Sequence, residues 1–183
     1  MLIGMFSGVV ESSTAGAANA YSSSMFYIIT YVLTTLATFG IIMLLSREGF
    51  ESEEIVDLAG LNERSPLYAG VMTVCLFSLA GVPPLVGFYA KLAVLQSLVA
   101  SGLPGGLGIA IFAVMMSLIG AFYYLRVIKV MYFDAPLTAT VVTATLDVRL
   151  VLSLNAVVVL ALGLMPQGLM NLCSNAILRS LGN

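Results

Sequence analysis

The sequence predicts an all-α, polytopic bundle of membrane-spanning helices, with about four spans and a partial helix before them. Of its 183 residues, 60% are hydrophobic and 9% are charged, and the mean hydropathy is +1.07; a soluble domain carries about 25% charged residues. Several nearly uncharged runs reach the length of about 20 residues that a spanning helix needs. One run, 66–102, is too long for a single span, which predicts a discontinuous helix. We expect a single membrane domain over residues 1–183.

The chain begins with the apolar stretch MLIGMFSGVV. This stretch is too short to cross a bilayer, and no basic residues precede it as they do in a secretory signal. It is typical of the second half of a spanning helix, so we expect one piece of a split protein or a truncated chain. The small polar residues 11–20 then predict an external loop.

The first complete span is predicted over residues 24–46, which carry no charge. Thr30, Thr34 and Thr38 recur every four residues and therefore share one helix face. Such a weakly polar face favours close packing against a neighbouring helix. Hydroxyl groups that line a wet path are the alternative.

Residues 47–65 carry half of the charged residues in the chain and predict a solvated loop. Within this loop, residues 53–59 predict a short helix with Ser52 as its N-cap and Gly60 as its stop. The acidic residues are typical of a solvated face, and a metal site is the alternative interpretation.

The run at 66–102 contains one charge, Lys91, and a break signal in its middle. As one helix it would be about 55 Å long, against a hydrocarbon core of about 30 Å. Pro83 and Pro84 lack N–H groups and disfavour helix in the residue before them, and Gly81 lies beside them. We therefore predict two half-helices that meet at this break, with Lys91 just beyond it.

The rest of the chain predicts two more spans and a tail. In order, these elements are a tight turn at 103–106, a span over 107–125 that continues to Tyr132, a polar loop at 133–147, a last span over 148–165 that Pro166 stops, and an amphipathic tail at 167–183 on the membrane surface.

Basic residues predict the orientation of the spans. Arg47 and Arg64 precede the broken helix. A second basic cluster, Arg126, Lys129 and Arg149, follows the next span, so both groups lie on the same side. The positive-inside rule places that side in the cytoplasm or the matrix. Lys129 is then an ordinary interfacial anchor.

Lys91 carries most of the functional interpretation. A charged lysine at bilayer depth costs about 2.5–3.5 kcal/mol on insertion scales, and such residues usually mark ion or proton paths. Burial disfavours the charged form and a nearby carboxylate favours it, so a lysine in this position can take up and release a proton. The break is also expected to free the carbonyl groups of Val82 and Pro83 for water or a charge.

The partner of Lys91 is expected to come from another polypeptide or from water, because no carboxylate falls within the predicted spans. The alternative is that the helix ends at Lys91. Its ammonium group would then reach the outer interface, and residues 92–101 would form a surface turn.

Composition excludes several kinds of site. The chain has no histidine, which excludes a histidine-ligated metal or haem and a Ser–His catalytic pair. Cys75 and Cys173 lie far apart without a CxxC motif, so Cys75 is expected to be a small buried apolar residue. A net charge of −2 without a basic stripe argues against nucleic acid as a partner. We predict no catalytic, cofactor-binding or metal-binding residues.

Two segments carry a resemblance to a known family. FSLAGVPPLVGFYAKLAVLQ, at 77–96, and SLIGAFYYLRVIKVMYFD, at 117–134, closely resemble the antiporter-like subunit N family of NADH-quinone oxidoreductase (complex I), called NADH dehydrogenase subunit 2 in mitochondria. The resemblance implies the C-terminal part of a fourteen-helix fold, from the middle of helix ten onward. Residues 66–102 match its discontinuous helix twelve, and Lys91 matches the embedded lysine in the outer part of the proton path. A glutamate and two lysines on earlier helices of the family have no counterpart here.

The resemblance further implies a proton-translocating membrane-arm subunit, as a fragment or split half, that couples NADH:ubiquinone oxidoreduction to proton pumping without redox chemistry of its own. NADH, FMN, iron–sulfur clusters and ubiquinone are expected in other subunits. The expected partners are the lipid bilayer, other membrane-arm subunits and a separate chain with the missing N-terminal helices. Pro83 and Pro84 would set the break, and Ser78, Tyr89 and Gln96 are weaker candidates for lining the path.

Two other functions remain open. One is a subunit of a cation/proton antiporter complex, which shares the broken helix, and the other is a structural helix-packing subunit without a proton path. A chain that starts inside a helix is typical of a split gene, which favours the mitochondrial inner membrane over the bacterial cytoplasmic membrane.

Overall fold

The described part of the chain is almost entirely helical. This computed structural model describes residues 1–10, 14–46, 54–137, 142 and 144–181, and within these residues there is no β-strand. The helices are, in chain order, α1 Leu2–Val10, α2 Thr14–Leu45, a short 3₁₀ helix Ile55–Leu58, α3 Leu61–Arg64, α4 Pro66–Ala80, α5 Val86–Ala100, α6 Gly106–Phe133, α7 Leu146–Leu164 and α8 Pro166–Leu181. The predicted all-α class is confirmed.

Three helices of the described residues are long and apolar enough to cross a membrane, namely Ala15–Leu45, Gly106–Phe133 and Leu146–Leu164. Helices α4 and α5 are apolar but have only 15 residues each, or about 22 Å. Each is therefore shorter than a hydrocarbon core of about 30 Å. Together they supply the discontinuous span predicted at 66–102.

The first span begins earlier than predicted. The loop predicted at 11–20 is wrong for residues 14–20, because these form the first two turns of α2. Residues 11–13 lie outside the described part. Both helix propensity and packing on α1 explain why residues 14–20 are helical. Alanine is the strongest helix former and recurs in this stretch, and Gly4 of α1 packs closely against Ala20 and Ser24 of α2.

The polar connection before α4 is only partly described. Residues 47–53, which include the proposed cap Ser52 and three of the six acidic residues of this connection, lie outside the described part. Within the short helix predicted over 53–59, the described residues form the 3₁₀ helix Ile55–Leu58, and Glu54 and Asp57 close a capping box at its start. Gly60 follows in the left-handed conformation, with φ 63°, as expected of a stop.

The last two helices meet at Pro166. Helix α7 ends at Leu164, so Pro166 stops it as predicted, and the same proline begins α8, where its missing N–H group is no cost. Cys173 of α8 is buried in a cluster with Phe26 of α2 and Val159 of α7. The predicted tail is thus a helix that docks onto the bundle.

Helix α2 is the central element, because α1, α4, α5, α7 and α8 all pack against it. Its face of Thr30, Thr34 and Thr38 is buried. Each of these hydroxyl groups donates to backbone carbonyl oxygens one turn earlier in the same helix. Burial favours the helix-packing interpretation for Thr30 and Thr34, whereas Thr38 also borders a cavity described below. Cys75 is fully buried in the neighbouring core, as predicted.

Candidate functional site: a lysine held at a helix break

Helix α4 ends in a hydrogen-bonded C-terminal motif built on one glycine. Gly81 has φ 85° and ψ 38°, a left-handed conformation that only glycine adopts readily. Its N–H group donates to the carbonyl oxygen of Ser78 at 3.0 Å, and the N–H group of Val82 donates to that of Phe77 at 3.0 Å. This pattern is the Schellman motif. It leaves the carbonyl oxygens of Leu79 and Ala80 pointing out of the helix end without a backbone donor.

The two prolines explain why these two carbonyl groups are available. In a continuous helix, the carbonyl oxygens of Leu79 and Ala80 would accept from the N–H groups four residues later. Those residues are Pro83 and Pro84, which have no N–H group. The expectation that Val82 and Pro83 supply the free carbonyl groups is therefore wrong for Val82, whose oxygen accepts from the Leu85 N–H group at 3.1 Å. A proline frees the carbonyl group of the residue four positions before it and not that of the adjacent residue.

Helix α5 starts directly against the end of α4. The Ser78 hydroxyl oxygen accepts the N–H group of Gly87 at 3.1 Å, which satisfies one of the donors that the first turn of a helix leaves unpaired. A Cβ atom on Gly87 would overlap the carbonyl oxygen of Ser78. The absence of a side chain at Gly87 thus lets the two half-helices touch.

Lys91 lies one turn into α5 and turns back to the end of α4. Its Nζ atom donates to the carbonyl oxygens of Leu79 at 2.8 Å and Ala80 at 3.0 Å, and to the hydroxyl oxygen of Ser117 in α6 at 2.7 Å. A lysine ammonium group has three N–H donors, so these three acceptors satisfy all of them. The carbonyl end of a helix also carries partial negative charge, which favours a cation.

This geometry corrects two expectations about Lys91. Helix α5 continues from Lys91 to Ala100, so the alternative in which the helix ends at Lys91 and the ammonium group reaches the outer interface is wrong. Its partners also need not come from another polypeptide or from water, since this chain provides three acceptors. The sequence could not reveal them, because two are backbone atoms and the third is on another helix.

A half-open cavity of about 670 Å³ adjoins Lys91, and residues of α1, α2, α4, α5 and α6 line it. Its polar lining consists of Tyr27, Tyr31, Lys91, Ser117 and Tyr124, and apolar side chains make up most of the rest. A second cavity of about 350 Å³ shares Tyr31, Leu79 and Tyr124 with the first and extends to Glu54. The two spaces therefore adjoin at Tyr31, Leu79 and Tyr124.

The three weaker candidates do not line either cavity. Ser78 is fully buried and its hydroxyl group is used in capping α5. The ring of Tyr89 packs edge-to-face with that of Phe88, with centroids 5.5 Å apart, and Gln96 is exposed. The structure thus brings Lys91 together with the break set by Pro83 and Pro84, but not with these three side chains.

Ser117 is the site residue that sequence reasoning missed. A signal for it exists, since Ser117 is the single hydroxyl-bearing residue in the apolar stretch 105–122. Its meaning depends on α6 packing beside α4 and α5, which composition does not predict.

Membrane proteins in which a discontinuous helix holds an embedded charge at its break are typically ion-translocating proteins. The family model described as "NADH:quinone oxidoreductase/Mrp antiporter, TM" matches residues 5–120, which are more than half of the chain and include Lys91 and its three hydrogen-bond partners. The chain belongs to this family.

Known relatives and structures agree with this assignment. NADH-quinone oxidoreductase subunit N of Polaromonas naphthalenivorans (strain CJ2) is 59% identical over 187 aligned residues, which cover 100% of this chain and 37% of that protein. A chain of respiratory complex I from Thermus thermophilus, solved with bound aureothin, has a TM-score of 0.68 and 26% identity over 86% of this chain and 36% of that one. A chain of the Mrp complex from Dietzia sp. DQ12-45-1b has a TM-score of 0.70 and 20% identity over 88% of this chain and 38% of that one. At this identity the likeness is one of fold alone. The chain spans little more than a third of the length of these proteins.

Proposed function

We propose that this chain is part of a proton-translocating subunit in the membrane arm of a respiratory complex I, where NADH:quinone oxidoreduction drives proton movement. The family, and the 59% identity to a subunit N along the whole chain, support this choice. The observation that carries it is the position of Lys91, a charged group inside the bundle at a helix break.

In this proposal, Lys91 binds and releases the transported proton. The Leu79 and Ala80 carbonyl oxygens stabilise the ammonium form in the apolar surroundings, which offsets part of the cost of burying a charge. The adjoining cavity of about 670 Å³ has room for water, and its hydroxyl groups supply the polar partners that buried water requires. Proton release to that cavity and rebinding from it would be one step of the transport cycle.

The proposal includes what lies outside this chain. NADH, FMN, iron–sulfur clusters and quinone belong to other subunits, so this chain contributes no redox chemistry. The helices that make up the rest of the relatives' length would complete the antiporter-like unit. The compared proteins are bacterial, which favours the bacterial cytoplasmic membrane over the mitochondrial inner membrane that the start of the chain suggested.

A subunit of a cation/proton antiporter complex is the second candidate, because the matching family includes Mrp antiporters as well. Purification of the assembled complex distinguishes the two. Flavin and iron in the purified complex support complex I, whereas their absence from an intact complex supports the antiporter.

The central test replaces Lys91 in the full-length subunit within the assembled complex. We expect Lys91→Met to lower NADH-driven proton uptake by inverted vesicles at least about tenfold, as loss of a proton-transfer group typically does. Lys91→Arg keeps the charge and the donors but cannot release a proton under cellular conditions, so we expect a similar loss with normal assembly.

Lys129→Met is the matched control. Lys129 lies at the end of α6 with its side chain 67% exposed and pairs with Asp134 at 3.3 Å, so its removal should leave proton uptake unchanged. Normal uptake by a fully assembled Lys91→Met complex would support the structural helix-packing function and end the proposal.

A further inference from the structure

Ser117 differs in kind from the other two partners of Lys91. All three oxygens accept a hydrogen bond from Nζ. The carbonyl oxygens of Leu79 and Ala80 can only accept, whereas a serine hydroxyl group can accept one hydrogen bond and donate another. Ser117 is therefore the one partner that can reverse its hydrogen bond with Lys91.

This difference matters once Lys91 loses its proton. The neutral amine has a lone pair on Nζ, which needs a donor when it is buried away from water. Neither carbonyl group provides one. The Ser117 hydroxyl group, already 2.7 Å from Nζ, only has to rotate its hydrogen toward Nζ. The three-acceptor arrangement thus fits the charged form, and Ser117 alone also fits the neutral form.

Ser117 also connects Lys91 to the adjoining space. Its side chain comes from α6 and lines the cavity of about 670 Å³ together with Lys91 and the tyrosines. Lys91 borders this cavity as well, but its three N–H donors are directed at the carbonyl oxygens of Leu79 and Ala80 and at the Ser117 hydroxyl group. While Nζ donates to the Ser117 oxygen, the hydroxyl hydrogen is free to point to a different acceptor, such as water in that cavity.

We propose that Ser117 is the proton relay between Lys91 and the cavity, an inference that rests on the proposed function of Lys91. In the releasing step, an N–H bond of Lys91 breaks and a new O–H bond forms on Ser117. The original O–H bond of Ser117 breaks at the same time, and its proton passes to a water molecule. The ammonium group becomes an amine, the serine is regenerated, and the water becomes hydronium. Proton uptake follows the same steps in reverse.

The test compares two variants of Ser117 in the full-length subunit within the assembled complex. Ser117→Ala removes the hydroxyl group, and we expect proton uptake by inverted vesicles to fall at least about tenfold, the effect of losing one hydrogen bond to a charged group. Ser117→Thr restores a hydroxyl group in the same place and should bring uptake back to within about twofold of the wild type, since it retains that hydrogen bond.

Ser97→Ala is the control, because Ser97 is also a serine of an apolar helix, and it is more buried than the half-buried Ser117. Its hydroxyl group donates to the Val94 carbonyl oxygen of its own helix and not to Lys91. This variant should leave proton uptake unchanged. If Ser117→Ala does not assemble, Ser117→Cys takes its place, since a thiol is only a weak donor and acceptor, and the same fall is expected.

Two results would overturn the relay. One is normal proton uptake by assembled Ser117→Ala, and the other is an equal loss in Ser117→Ala and Ser117→Thr, which would indicate packing instead of proton transfer. If Lys91→Met abolishes uptake in the same preparation while Ser117→Ala does not, the function of Lys91 stands and only the relay fails.

Discussion

Gly87 is a point of direct contact between the two half-helices. Its N–H group bonds to the Ser78 hydroxyl oxygen, and the space of a Cβ atom is already filled by the Ser78 carbonyl group. That carbonyl group belongs to the helix end that holds Lys91, so contact at Gly87 fixes where the Leu79 and Ala80 oxygens lie relative to α5.

We therefore expect Gly87→Ala to destabilise the subunit by about 1–3 kcal/mol, the usual cost of inserting a methyl group into a filled core. Thermal unfolding of the purified complex measures this change. Gly108→Ala is the control, because a Cβ atom on Gly108 meets nothing within 4 Å, and alanine favours helix over glycine. Equal stability of the two variants would contradict the close contact of α4 and α5.

Individual residues also show how much of the site could be predicted from the sequence. Lys91, Pro83 and Pro84 could be identified because a charge and two prolines stand out in an apolar run. The carbonyl groups of Leu79 and Ala80 could be derived from the prolines by counting back one turn, although the prediction chose their neighbours. Ser117 could not be assigned, because its role comes from contact between α6 and α5.

Among the helices, α8 is the one whose placement the sequence described least well. Its amphipathic pattern predicts a helix on the membrane surface, and the structure adds that it packs on α2 and α7. Cys173 points into this contact and is only 1% exposed. Burial also raises the pKa of the Cys173 thiol above its ordinary value, which lowers the fraction of the reactive thiolate.

Cysteine labelling tests this docking. We expect Cys173 to stay unmodified when the folded protein is treated with a maleimide, and to react once the protein is denatured. A Leu172→Cys variant is the matched control, because Leu172 is the neighbouring residue and is 67% exposed; it should react readily. Equal labelling of both positions in the folded protein would mean that α8 does not pack on α2.

Helix boundaries could be predicted where composition changes abruptly. Proline and glycine mark the ends of α4, α6 and α7, and the predicted boundaries there lie within a few residues of those observed. The start of α2 was missed because its first turns are small and polar, and they are helical through alanine propensity and packing on α1.

For the chain as a whole, the charged connections predict one orientation in the membrane. The connection between α5 and α6 should face outward, and the end of α6 should face the cytoplasm. Among the three long apolar helices that the structure describes, α6 is also the least buried. A large apolar surface on a spanning helix fits contact with lipid or with further helices of the assembly.

Single cysteines test the orientation in intact bacterial cells. A membrane-impermeant maleimide should label Pro104→Cys, between α5 and α6, and should label Ala135→Cys, after α6, only when the membrane is opened. Both positions are exposed, whereas the native Cys75 and Cys173 are buried and should not interfere. The reverse pattern of labelling would invert the orientation and the proposed direction of the path.

The position of Lys91 at the end of α4 has an electrical consequence. Its ammonium group lies about 20 Å along the helix from Pro66. With Pro66 at the cytoplasmic edge of a hydrocarbon core of about 30 Å, as the predicted orientation has it, Lys91 would lie about two-thirds of the way through that core. A proton that reaches Lys91 from the Pro66 side has therefore crossed about two-thirds of the membrane potential. Moving one charge through 100 mV is worth about 2.3 kcal/mol, so this partial passage is worth about 1.5 kcal/mol, or roughly a tenfold change in occupancy. The fraction of Lys91 that carries a proton would thus follow the voltage across the membrane as well as the pH on either side.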